Sequence, residues 1–99
     1  MEIVWTKQAL DDLSNIYQFR ENPTAKRHIQ KIHREARAIR IFPESAPVYV
    51  TPNTKKEFRA LTVVKGLYKI VYYIDLNNDN VVIMRIWDCR QDPENFKVK

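Results

Sequence analysis

Ninety-nine residues, 44% of them apolar and eleven aromatic, suffice for one domain with a core that needs no metal or disulfide staple. Cys89 is the only cysteine, which excludes an internal disulfide and a cysteine-based zinc site. Seventeen Lys and Arg against twelve Asp and Glu give a net charge of +5, an excess that implies an anionic partner only if it is clustered.

The opening MEIVWTKQALDDL lacks an apolar signal core and turns acidic at once. No apolar run approaches the roughly 20 residues that span a bilayer. A soluble, cytoplasmic protein without a membrane partner is expected. In chain order, Glu2–Trp5 is a short β-prone run, and Thr6 is a good helix cap. Ala9, Leu10, Leu13, Ile16 and Tyr17 then recur at helical spacing, with Asp11 and Asp12 in the first turns. Asn22-Pro23 breaks this helix, and Thr24 is placed to cap the next. That second helix puts Ala25, Ile29, Ile32, Ala36 and Ile39 on one stripe and stops at Pro43. Its segment Lys26–Arg40 carries six cations and one acid, a cluster that a solvated helix face explains equally well. So short a connection predicts an antiparallel helix hairpin.

Glu44–Asn53 holds two further prolines and reads as a loop with at most a short edge strand. Three strands follow, about Glu57–Val64, Leu67–Asp75 and Val81–Trp87. Lys65-Gly66 marks the first turn and Asn77–Asn80 the second, so the strands form an antiparallel meander. The tail from Gln91 onward is polar and is expected to be flexible. The predicted fold is α+β, in the order β-α-α-β-β-β, with the hairpin packed on a twisted antiparallel sheet.

Cations recur inside the last three apolar runs, at Arg59, Lys69, Arg85 and Arg90. A strand hides one face in a core, so long cations within it must snorkel or line a groove. If they converge on one surface, they form a cradle for a polyanion. Each also has a structural reading. Arg59 can pair with Glu57, Lys69 can snorkel beside Val71 and Tyr73, and Arg90 can pair with Asp88 or Asp92. For Arg85 the favoured role is structural, stacking on an aromatic or pairing with a carboxylate. His28 and His33 are five apart, a spacing that does not place them as a metal pair on a helix. No metal or cofactor is expected.

Several segments stand out together: the strand with Trp5, the helix with Ala9, Asp12, Leu13 and Ile16, and the Phe42-Pro43 helix terminus. Further along stand Phe58–Val63 (FRALTV), Tyr68–Tyr72 (YKIVY) and Ile86–Pro93 (IWDCRQDP). In this order they resemble the RelE/ParE superfamily of toxins from bacterial type II toxin–antitoxin systems. The resemblance covers nearly the whole chain in order. It implies a growth-inhibiting toxin restrained by a cognate antitoxin, acting either on the ribosome by cutting mRNA or on DNA gyrase without nuclease chemistry. A non-toxic basic binding module is the alternative.

For the nuclease branch, the resemblance matches Arg59 and Lys69 to the sheet cations, Arg90 to a late arginine, and Phe96, loosely, to a terminal aromatic. RNA cleavage by its own 2′-hydroxyl needs a base, an acid and charge stabilisation on the phosphate. Arg59 or Arg90 suits the last role through its fork geometry. The chain departs from the nuclease pattern elsewhere: lysine stands at 69 where arginine is usual, and Phe96 has no hydroxyl. No histidine or glutamate lies close to Arg90 on its N-terminal side. The gyrase branch requires none of these groups.

Overall fold

A computed structural model describes residues 1–19, 23–49 and 56–91. Its elements are β1 (Glu2–Trp5), α1 (Lys7–Phe19), α2 (Pro23–Ile41), β2 (Val48–Tyr49), β3 (Phe58–Val63), β4 (Tyr68–Asp75) and β5 (Asn80–Asp88). Thr6 ends the first strand and caps α1, its Oγ1 accepting the Ala9 N–H at 3.2 Å. The same hydroxyl lies 2.9 and 3.1 Å from the carbonyls of Ile83 and Met84, which ties the helix start to the middle of β5. At α2 the expected cap gives way to a proline start. Pro23 is the first helical residue and Thr24 lies inside the helix. A proline ring suits that position, because its missing N–H would have no helical partner and its φ is already helical.

The sheet runs β1-β5-β4-β3-β2. Strands β2 to β5 pair antiparallel, as the short turns require. β1 instead pairs parallel with β5, Glu2 opposite Asn80 and Trp5 opposite Ile83. The sheet is therefore mixed, and the expectation of a purely antiparallel sheet is corrected. The direction follows from the helices: β1 must deliver the chain to α1 beside Ile83–Ile86, where α1 lies on the sheet. Only a strand running the same way as β5 ends there. The predicted edge strand is the two-residue β2, paired with Phe58 and Arg59.

One sheet face receives the helices. Ala9 and Leu13 of α1 and Ile32, Ala36 and Ile39 of α2 pack there with Val63, Tyr68, Ile70, Tyr72, Val81, Ile83 and Ile86. The stripe on α1 is narrower than predicted: Leu10 and Tyr17 are 51% and 57% exposed. Both lie on the flank turned away from the sheet, seven residues apart. The opposite sheet face has its own apolar layer of Phe58, Ala60, Val71, Val82 and Met84, with Tyr49 and Tyr73 against it. Both layers hang on β4 and β5, whose central positions are buried on the two sides.

A β-bulge interrupts the β4–β5 pairing between Val71 and Tyr72, leaving Val71 opposite Arg85 and Tyr72 opposite Ile83. It shifts the alternation of β5, so that Ile83 and Ile86 both serve the helix-side core. The β3–β4 turn is closed by the Leu67 N–H on the Val64 carbonyl at 3.1 Å. Its central residues Lys65 (φ 53°) and Gly66 (φ 88°) are left-handed, as a type I′ hairpin turn demands. Among the described residues, no helix is long and apolar enough to cross a membrane.

Candidate functional site

The three sheet cations singled out by the sequence do not meet. Arg59 shares its strand face with Leu61 and Val63, on the helix side, while Lys69 shares its face with Val71 and Tyr73, on the other. Arg59 pairs across the ladder with Tyr72, and Lys69 pairs with Thr62, three residues further along. Arg90 follows the end of β5, beyond the Tyr68–Asp88 pair. Phe96 lies outside the described residues.

Each cation has acquired neighbours that explain its presence. The Arg59 guanidinium donates to the carbonyls of Glu44 at 3.1 Å and Ala46 at 2.7 Å. It also donates to the Glu57 carboxylate at 3.3 Å, and its side chain is only 19% exposed. Beside it the Tyr72 hydroxyl donates to the Pro43 carbonyl at 2.6 Å. Together Arg59 and Tyr72 tie down the segment leaving α2 through its Pro43, Glu44 and Ala46 carbonyls. Burial pushes the Tyr72 phenol above its ordinary pKa, against the pull of the neighbouring Arg59 charge.

Lys69 sets its ammonium 5.3 Å from the centre of the Tyr49 ring, and Lys56 sits 4.3 Å over Tyr73. Two lysines therefore lie on tyrosine faces of the sheet side opposite the helices. Cys89 is exposed at the strand end. Partial burial of its thiol pushes the pKa up, with Lys69 pulling it down. A thiol held protonated in this way is a poor nucleophile.

A cleft lies where α1 meets the end of β5. It has a volume of about 400 Å³, with Asp12, Asn15 and Ile16 of α1 on one wall and Tyr68, Arg85, Asp88 and Arg90 on the other. Its charges are paired within the molecule. Arg85 holds Asp12 bidentately, Nε to Oδ2 at 2.8 Å and Nη2 to Oδ1 at 3.0 Å. Arg90 holds Asp88 in the same manner at 3.0 and 2.7 Å, and its side chain remains 51% exposed. The hydrogen bond to Asp88 raises the Arg90 pKa further, so the guanidinium is a permanent charge and not a proton donor. The Arg85 guanidinium also lies 5.7 Å from the Trp87 ring centre. Stacking and carboxylate pairing are thus both present.

The sequence reading placed Asp12 only as a helix-dipole carboxylate and missed this role. Asp12 Oδ2 also accepts the Ile86 N–H at 2.8 Å. β1 pairs only as far as Ile83, so from Met84 onward no strand among the described residues covers that edge of β5. Thr6 and Asp12 occupy it in place of a strand. The available signal was a carboxylate on the buried side of α1, next to Leu13, with a lone Arg85 in an apolar run seeking a partner.

The second helix presents a different surface. Lys26, Arg27, Lys31, Arg34, Arg37 and Arg40 are all exposed, with Glu35 the only acid among them. On its β1 flank a shallow depression of about 440 Å³ is lined by Trp5, His33, Arg37 and Arg40. His33 is exposed, and its ring lies 5.0 Å from that of Trp5.

A helix pair on one face of a five-stranded mixed sheet, in a small basic chain, is the architecture of RelE/ParE-superfamily toxins. Residues 3–93 match the family described as the ParE toxin of the type II toxin–antitoxin system, parDE, and the chain belongs to that family. Its role is that of a toxin. Among solved structures it is similar to a chain of the chromosomal ParDE toxin–antitoxin system from P. aeruginosa, at 20% identity and a TM-score of 0.71. The match covers 89% of this chain and 95% of the other, and at that identity it shows a common fold. No curated protein matched the sequence.

Proposed function

We propose that this toxin inhibits DNA gyrase and does not cut mRNA, and that a cognate antitoxin restrains it. The observation in favour is the arrangement of the sheet cations. A nuclease of the RelE kind would bring Arg59, Lys69 and Arg90 to one scissile phosphate. Here Arg59 is committed to the Glu44 and Ala46 carbonyls, and Lys69 lies on the reverse face of the sheet. Membership of the ParE family supports the same branch, since ParE-like toxins act on gyrase. The antitoxin is inferred from the two-component nature of such systems, and gyrase as target places the protein in the cytoplasm.

The deciding experiment pairs two purified systems. In a gyrase supercoiling assay the toxin should block supercoiling or trap cleaved DNA. In a translating extract at the same concentration, message should stay intact. Cut message with undisturbed supercoiling would refute this reading and restore Arg90 and Lys69 as candidates for phosphate contact.

A further inference from the structure

All of the net charge of this protein resides on one helix. The chain has seventeen Lys and Arg and twelve Asp and Glu. α2 holds six of the former and one of the latter, leaving eleven of each in the remainder. The rest of the molecule is formally neutral, and α2 carries +5. Its six cations make no ion pair or side-chain hydrogen bond with another described residue, whereas Arg59, Arg85 and Arg90 all do.

Helical geometry orders these charges. At about 100° per residue, Lys26, Arg37 and Arg40 fall in one row and Arg27, Lys31 and Arg34 in another, roughly a third of a turn away. The buried residues Ala25, Ile32, Ala36 and Ile39 occupy the opposite arc. From Lys26 to Arg40 the rows extend about 21 Å. Like charges so close repel one another, a standing cost that an external polyanion would relieve.

We propose that the outward face of α2 is a docking surface for duplex DNA, with the helix lying along the major groove and its two rows of cations facing the phosphates on either side. The groove is about 12 Å wide and admits one helix. Four of the six cations are arginines, whose forks match phosphate oxygens. Gln30 and Ala38 lie on the exposed arc without a large apolar side chain between Lys26 and Arg40. A protein interface would need aromatic or aliphatic anchors among the cations; the exposed Ile41 and Phe42 lie past Arg40, at the end of the helix, and none stands between Lys26 and Arg40 on that arc. Duplex RNA is a poorer fit, because its major groove is too narrow for side-chain access. The contact is to backbone phosphate and carries no sequence preference. It stands independently of whether gyrase is the target.

The test uses the purified full chain and a labelled random-sequence DNA duplex of about 20 base pairs, followed by fluorescence anisotropy at several salt concentrations. Saturable binding is expected, with a log–log salt slope near −5 if six phosphates are neutralised, so affinity falls about 10³-fold between 50 and 200 mM salt. Arg34→Gln with Arg37→Gln should flatten the slope by about 2. Lys7→Gln with Lys65→Gln removes the same charge from exposed sites off the helix and should leave the slope unchanged. All four positions are exposed, and unaltered melting curves would show that both variants fold. The proposal is overturned if DNA does not bind saturably or if the two variants shift the slope equally. It is also overturned if polyglutamate or duplex RNA competes as well as duplex DNA.

Discussion

Asp12 shows how one residue can close a gap left by the strand order. Its carboxylate accepts two bonds from Arg85 and one from the Ile86 backbone, on the edge of β5 that β1 no longer covers. Both side chains are largely shielded, 13% and 18% exposed, so removing one strands the other's charge. Asp12→Ala should lower stability by about 3 kcal/mol, read from urea unfolding. Arg85→Met alone should also be costly. The double variant should lose less than the sum of the singles, and strict additivity would mean that the pair is not coupled. Tyr72 gives a second test at this scale. Its phenol has a folded pKa above the ordinary value of about 10, so the folded state favours the protonated form. That contribution is complete below about pH 10 and disappears as pH rises through the folded value. Tyr72→Phe should cost about 1 kcal/mol at neutral pH through the lost bond to Pro43. The gap between variant and parent should then shrink in alkali; a gap constant from pH 7 to 11 would contradict this account.

Among the elements, the β3–β4 hairpin carries visible strain. Val64 (φ 55°) and Lys65 (φ 53°) are left-handed, a region that β-branched Val64 in particular disfavours. Lys65 is exposed and precedes Gly66 at the centre of the turn, where Asn-Gly is the preferred pair. Lys65→Asn should therefore stabilise the protein by about 0.5 kcal/mol, a rise of a few degrees in melting temperature. Gly66→Ala should act in the opposite direction. No heavy atom lies within 4 Å of the added methyl, so its cost comes from backbone conformation alone. The helices differ from each other in how fully they are used. α2 buries four residues in the core, whereas α1 leaves Leu10 and Tyr17 largely in solvent.

For the whole molecule, β4 and β5 bear apolar layers on both sides, which should bind the two layers into one cooperative unit. Ile32 belongs to the helix-side layer and Met84 to the other. Ile32→Ala and Met84→Ala should each move a single melting transition, by about 2–5 kcal/mol for the fully buried Ile32. Trp5 and Trp87 offer separate optical reports from β1 and β5. Single-tryptophan variants should report the same midpoint, and two midpoints would show that the layers unfold independently. Charge is distributed on the same scale. Outside α2 the eleven cations and eleven acids of the chain cancel, so α2 alone carries the net positive charge.

Much of this was legible from residues alone, because periodicity and turn chemistry are local. Thr6 as a cap, the stripe Ala25–Ile39, the Lys65-Gly66 turn and the strand positions follow from spacing within a few residues. The cation block on α2 was equally visible, since a helix displays its own neighbours three and four apart. What the chain order could not supply was any relation between distant segments. The parallel docking of β1 depends on where α1 must start over the sheet. The Asp12–Arg85 pair joins residues 73 positions apart. The bulge opposite Val71 and Tyr72 breaks the alternation on which face assignments along β5 depend. Arg59, Lys69 and Arg90 looked like one cradle because their spacing says nothing about which sheet face each occupies. Packing decided that, by turning Arg59 toward the loop carbonyls after α2 and Lys69 toward Tyr49.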